Sequence, residues 1–340
     1  MMGRGRMGKE MASVRRAGQA LAVGAVLMAG LALPAGEALA QAWPSKPVRL
    51  VIPFPAGGST DVVGRVVAQE LTTRLGQQVV VDNRPGASGT VGSEAVARMP
   101  NDGYTLLLSN VGSQGVGPAL FSTVKYNTMA DFTHIGMIGT FTNVVLVNTN
   151  LPVKTVGDLV ALAKKSPGKL SYATSGNGST NHFLGELFNH YAGVKIVHVP
   201  YKGSGPALND LVGKQIDMMY DSLPSAASHI KAGTIRAIGM ASAERVAAFP
   251  DVPTLKEAGL GKLVISNWFG LSAPAKIPAE VVSRTNAELK AVLAQPATVT
   301  RLGELGLVAQ SMTPEQFSSF VASDLAYWAD AVKETGIKVD

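Results

Sequence analysis

Two four-residue stretches combine the residue types that hold an anion. Gly58-Ser59-Thr60-Asp61 follows the apolar run 50–52 and precedes Val62, Val63, Val66 and Val67 at helical spacing. Gly178-Ser179-Thr180-Asn181 follows the apolar run 170–172 and precedes Phe183, Leu184, Leu187, Phe188 and Tyr191. A helix start leaves backbone N–H groups without partners and carries partial positive charge. Glycine lets that backbone approach a ligand, and the hydroxyls add donors, so such a place suits a carboxylate. The same residues also make a plain turn and cap. The echo between two loops favours a pair of ligand cradles. A third loop, Arg84 to Thr90, reads either as a turn with Thr90 capping residues 91–98 or as a ligand contact.

Other chemistries are missing their signatures. There is no Cys, which removes disulfides, thiolate catalysis and a lipid-anchored cysteine. No GxSxG elbow and no GxxxxGK[ST] loop occurs, and Gly176-Asn177-Gly178 is followed by Asn181, not by the third glycine of a dinucleotide fingerprint. His134, His182, His190, His198 and His229 lack zinc-site spacing. No metal and no cofactor are expected, and an exported hydrolase is kept only as a remote alternative.

The elements that must position these loops alternate along the chain, which predicts an α/β fold. Strands are predicted at 48–53, 78–82, 104–108, 134–139, 143–148, 169–173, 195–199, 215–220, 234–240 and 263–272. Helices are predicted at 61–75, 90–98, 155–165, 180–191, 205–213, 223–232, 254–258, 278–294, 298–305 and 314–334. The 340 residues are enough for two domains, and 46% hydrophobic against 16% charged content suits a globular protein. Residues 1–40 read as a signal peptide: a basic start with Arg4, Arg6, Lys9, Arg15 and Arg16, an apolar run 20–33, and Ala38-Leu39-Ala40 at the cleavage point. Removing them leaves 25 basic and 22 acidic groups, a net charge of +3, which gives no footing for nucleic-acid binding. No later segment is apolar for long enough to span a bilayer. A periplasmic protein that is not membrane-anchored is expected.

The order of motifs then resembles a known family. After residues 48–61 come VVVDNRPGASGTVG (79–92), DGYTLLLSN (102–110), YATSGNGSTNHF (172–183), VPYKGSGPALNDLVGKQIDMMYD (199–221) and WFGLSAPAKIP (268–278). From about residue 44 onward the chain resembles the solute-binding receptors of tripartite tricarboxylate transporters, the Bug or TctC-like proteins. The resemblance implies a two-lobed periplasmic binding protein of Venus-flytrap, type II-like form, with mixed sheets and flanking helices. It implies no catalysis, a small organic carboxylate held between the lobes, and delivery to membrane transporter subunits; a receptor presenting its ligand to a membrane sensor would use the same cleft. A monomer is expected. The lobes are expected at 43–142 plus 268–340 and at 143–267, with crossings near 143–148 and 267–271. Carried onto this sequence, the ligand loops are Phe54 to Asp61, which includes Ala56, and Thr174 to His182.

Within them Gly57, Gly58, Gly176 and Gly178 are expected to offer backbone donors. Ser59, Thr60, Ser175, Ser179 and Thr180 are expected to divide their hydroxyls between ligand and helix ends. Asp61 reads as a cap of its helix or as a partner for a ligand amine or hydroxyl. His182 reads either as a neutral donor or as a packed ring. Asp221, at the end of the apolar strand 216–220, reads as a helix cap from position alone, while the resemblance places it at the ligand. Tyr201 and Asn110 follow strands and are candidates for the cleft. Lys202 either draws in anions or is solvated, and Trp268 reads as core or hinge packing. Neither loop contains Arg, so no guanidinium clamp is expected. A small mono- or dicarboxylate, with or without an amino or hydroxyl substituent, is expected over a fully ionised tricarboxylate.

Overall fold

Val48, Leu50, Val51 and Ile52 are fully buried, the signature of a strand covered on both faces. They open an alternation of strands and helices that a computed structural model describes over residues 43–335. Two units are distinguished, Met1–Ser45 and Lys46–Asp340. The described part of the first is residues 43–45, with a cis peptide bond between Trp43 and Pro44. The expected signal peptide, residues 1–40, and its cleavage near Ala40 lie outside the described residues.

In the second unit the chain runs β1 (Val48–Ile52), α1 (Ser59–Leu75), β2 (Val79–Asn83), α2 (Thr90–Ala97), β3 (Thr105–Asn110), a π-helical turn (Gly112–Val116) and α3 (Gly117–Leu120). It continues with β4 (Phe132–Asn148), α4 (Val156–Lys165), β5 (Ser171–Thr174), α5 (Thr180–Ala192), β6 (Val197–Pro200), α6 (Ser204–Val212), β7 (Met218–Ser222), α7 (Leu223–Lys231) and β8 (Ile235–Met240). It ends with β9 (Ser266–Pro274), α8 (Ala279–Leu293), α9 (Pro296–Glu304), β10 (Val308–Ala309) and α10 (Pro314–Thr335).

The strands lie in the order β2-β1-β3-β9-β4-β7-β5-β6, with β8 and β10 also paired to β4. Parallel pairs β2-β1-β3 form one half and β7-β5-β6 the other. Strand β4 belongs to both: Phe132 to Thr142 pair antiparallel with β9, and Asn143 to Asn148 pair with β7 and β8. The chain thus passes from one half to the other between Thr142 and Asn143 without a turn. Two strands had been expected there; β-branched and aromatic residues at 140–142 carry the strand straight through.

Helix α1 covers the first half with Val63, Val66, Val67 and Leu71, all buried. Gly64 lets it close on the sheet, since a Cβ there would lie 2.6 Å from Ile52 Cδ1. Helix α10 buries Phe317, Val321 and Trp328 in the same core as Trp268 of β9 and Phe183 of α5. The helix expected at 254–258 is a turn: Thr254 and Glu257 cap one another, but Gly259 at φ +84° ends the winding. Among the described residues, no helix is long and apolar enough to cross a membrane.

Candidate ligand cleft

The first cradle begins where β1 ends. Residues 53–58 turn the chain into α1, whose N-cap, Gly58 (φ −82°, ψ 169°), has no side chain to cap with. The turn is held from behind by Asp61, which accepts hydrogen bonds from Gly57 N–H at 3.0 Å, Arg65 Nε at 2.9 Å and Asn83 Nδ2 at 3.0 Å. Asn83 Nδ2 also donates to the Phe54 carbonyl at 3.0 Å. Burial pushes the Asp61 carboxyl up, but the bonds from Arg65, Gly57 and Asn83 outweigh it and hold it below the usual carboxylate range. The N–H groups of Ser59 and Thr60 keep no protein acceptor, as a first helical turn requires. Thr60 Oγ1 accepts from Asn110 Nδ2 at 3.2 Å, which leaves its own proton to give.

The second cradle spends more of its groups internally. Ser179 is the N-cap of α5: its Oγ accepts from His182 N–H at 3.2 Å and donates to the Gly176 carbonyl at 2.8 Å. Gly176 N–H donates to Thr174 Oγ1 at 3.2 Å and Gly178 N–H to His182 Nδ1 at 3.3 Å. The second bond fixes the His182 tautomer, with Nδ1 unprotonated. Burial lowers the His182 pKa, against the opposing pull of Glu186. Its ring stacks on His198 at 4.2 Å, and His198 stacks on Tyr172 at 4.9 Å. Burial pushes His198 down to about 4.

Behind this loop Asp221 is fully buried and accepts from Ser204 Oγ at 2.6 Å, Ser225 Oγ at 2.7 Å and Asn181 Nδ2 at 3.4 Å. Burial pushes its carboxyl up to about 6, with those serines pulling the other way.

Between the cradles lies a narrow cleft, with about 50 Å³ open to the centre of a water-sized sphere. Its walls are Gly58, Ser59 and Thr60 on one side and Ser179, Thr180 and Asn181 on the other. Phe141 and Phe269, stacked at 4.4 Å, add an apolar surface. Beside them Asn267 donates Nδ2 to Asn143 Oδ1 at 3.0 Å. Among the described residues, none that lines the cleft carries a charge. The two halves touch across its mouth. Ser88 Oγ donates to the Asn177 carbonyl at 2.7 Å. Gly203, at φ +111°, comes so near Pro55 that a Cβ would lie 2.7 Å from its Cγ. Outside this contact a second chamber is bordered by Phe121, Gly176, Tyr201 and Lys202.

Of the residues singled out from sequence, Phe54, Gly58, Ser59, Thr60, Asn110, Ser175, Ser179 and Thr180 line the cleft. Gly176 and Tyr201 border the outer chamber, and the Tyr201 hydroxyl donates to Asp210 at 2.7 Å. Ala56, Gly57, Thr174, Gly178, His182, Asp61 and Asp221 stand outside the lining. The N–H groups of Gly57, Gly176 and Gly178, expected to serve a ligand, are instead satisfied within their own loops. The reading from sequence placed Asn181 in the second loop without giving it a role, and it missed Ser204, Ser222, Asn267, Phe141 and Phe269. Asn267 and Asn143 had a signal: each is an amide within a run of strand-forming residues, where a polar side chain needs a partner.

Two α/β halves joined through the shared strand β4, with helix starts facing a cleft between them, define a periplasmic binding-protein fold. The chain belongs to the tripartite tricarboxylate transporter family receptors (TctC), whose model matches residues 63–337. It is 37% identical over 315 residues to Protein BugT of Bordetella pertussis strain Tohama I, covering 92% of this chain and 96% of that one. Among solved structures it is similar to R. palustris Rpa4515 with adipate, at TM-score 0.84 and 35% identity over 87% of this chain and 99% of that one. It is also similar to MatC (Rpa3494) from Rhodopseudomonas palustris with bound malate, at TM-score 0.80 and 32% identity over 85% and 100%.

Proposed function

We propose that this receptor captures a small organic carboxylate between two lobes, residues 43–142 plus 268–340 and residues 143–267, and delivers it to the membrane subunits of a tripartite tricarboxylate-type transporter. It works as a monomer in the periplasm after loss of residues 1–40, and it does no chemistry on its ligand. One observation carries the reading: two helix starts with unspent donors face one uncharged cleft. The Ser59 and Thr60 hydroxyls donate to the carboxylate, and one of its oxygens accepts from the N–H groups of Ser59 and Thr60. The other accepts from the N–H groups of Thr180 and Asn181. Hydrogen bonds to a charged group contribute about 1.5–3 kcal/mol each. Because the donors come from both lobes, only the closed form offers them all, and the ligand shifts the population toward closure. The likeness to proteins solved with adipate and malate supports a carboxylate.

Native mass spectrometry of the protein exported by its own host and purified without refolding tests this. A mature mass starting near Gln41 and a retained organic acid are expected. An intact segment 1–40, or a thermal-shift panel of carboxylic and amino acids without a single response, would overturn it.

A further inference from the structure

Asn181 lines the cleft, is 2% exposed, and has one side-chain atom left over. Its Nδ2 donates to Ser175 Oγ at 3.0 Å and reaches Asp221 Oδ1 at 3.4 Å. Its Oδ1 is buried and has no donor. The amide cannot gain by turning over, because that would set its oxygen against the Asp221 carboxylate, which already gathers Ser204 and Ser225. A buried acceptor with no donor is costly, and natural proteins leave few of them. Asn181 borders the cleft, so the cleft is the place from which a donor outside the chain could reach it.

The position limits what it can be. Asn181 is the second residue of α5, so its backbone N–H faces the place of the bound carboxylate while its Oδ1 lies within the same residue. A ligand group that meets Oδ1 therefore sits on the carbon next to the carboxylate. We propose that Asn181, held in one orientation by Asp221 and Ser175, reads a hydrogen-bond donor on that carbon, so that the receptor selects 2-hydroxy or 2-amino acids over their unsubstituted counterparts. This rests on the carboxylate reading above and narrows it.

The contrast with the other cradle supports the assignment. Asp61 occupies the matching place in the four-residue motif, one step further into its helix, but both its oxygens are taken by Gly57, Arg65 and Asn83. At this fourth position of the motif, only the second cradle keeps a side-chain oxygen without a donor.

Isothermal titration of ligand-free protein against matched sets tests it: propionate, lactate and alanine; succinate, malate and aspartate; adipate, 2-hydroxyadipate and 2-aminoadipate. At least one substituted acid is expected to bind tenfold or more tightly than its unsubstituted partner. Asn181→Leu is expected to bring that ratio near one, and Asn181→Ala serves if the leucine variant does not fold. Equal affinity within every set means that water satisfies Oδ1; the inference then fails while the carboxylate reading stands. A preference that survives both variants assigns selection to another residue and overturns the inference. No binding by any of the nine acids removes the carboxylate reading and the inference together.

Discussion

Both cradles begin Gly-Ser-Thr, at 58–60 and at 178–180, yet their helices start one residue apart. In the first, Gly58 is the cap and Ser59 is already helical; in the second, Ser179 is the cap and Thr180 opens the helix. The fourth residue decides. Asp61 is a carboxylate that reaches back to Gly57 N–H and sideways to Arg65 and Asn83, so the turn is tied without help from Ser59. Asn181 looks instead toward Ser175 and Asp221, and the turn is tied by Ser179 and His182. The first cradle therefore leaves the Ser59 hydroxyl without a partner in the chain, and the second uses the Ser179 hydroxyl to hold its own shape. Identical letters do different work because one side chain two or three positions on changes what remains unsatisfied.

The glycines should break this pairing most visibly. Gly178 has φ +71°, and a Cβ there would lie 2.7 Å from Phe121 Cζ. Gly58 has φ −82°, and a Cβ there would meet only Pro55 O at 3.6 Å and Ser204 Cβ at 4.0 Å. Gly178→Val should lose stability by at least ~1–2 kcal/mol from backbone strain alone. Gly58→Val should unfold in urea near the wild-type midpoint, yet lose ligand binding because its side chain enters the cleft. Equal destabilisation of the two would erase the distinction.

The serines should give a smaller, crossed effect. Ser179→Ala removes an N-cap and should cost about 1 kcal/mol in denaturant unfolding. Ser59→Ala should move stability by less than about 0.5 kcal/mol. Its loss should appear in titration calorimetry as a several-fold weaker affinity, the worth of one hydrogen bond at about 0.5–1.5 kcal/mol.

The two aspartates should separate by pH. The Asp61 pKa is lowered on folding, so its contribution is present above the unfolded value of 3.8 and is lost as pH falls through the folded one. The Tm gap between wild type and Asp61→Asn should therefore close below about pH 4. Asp221 is raised to about 6, so the folded state binds the proton more tightly, and its contribution grows as pH falls from about 6 toward 3.8. Asp324 shifts the same way, while His134, His182 and His198 are lowered and oppose both. Difference curves against Asp221→Asn cancel those groups. Parallel curves for wild type and Asp221→Asn across this window would rule out the assignment.

Much of the architecture was legible because periodicity is local. Helix α5, expected at 180–191, spans Thr180–Ala192, and α8, expected at 278–294, spans Ala279–Leu293. The π-helical turn Gly112–Val116 was not legible. Its glycines read as loop, and they are there because the turn is crowded: a Cβ on Gly115 would lie 2.8 Å from Asp324 Oδ2, a residue 209 positions away in sequence. In the cleft, the loops could be found from Gly, Ser and Thr next to apolar runs. Which N–H groups stay free could not, because that depends on Asn83, Asp221 and His182, which come together only in the fold.

The placement of the tryptophans makes the molecule its own optical reporter. Of the three in the sequence, Trp43 belongs to the other unit. Trp268 is 1% exposed in the strand that leads back into the first half, and its Nε1 donates to Asp324. Trp328 is 4% exposed and meets Phe183 of the second half edge-on at 5.6 Å. If the lobes open as proposed and draw Phe183 away, water would reach that indole, while Trp268 would keep its contacts with Phe317 and Phe320. Emission should therefore contain a Trp328 component that reddens in the ligand-free protein, superposed on that of Trp268 and Trp43. Closure can be timed in a stopped-flow fluorimeter on unlabelled protein, with Trp328→Phe as the silent control.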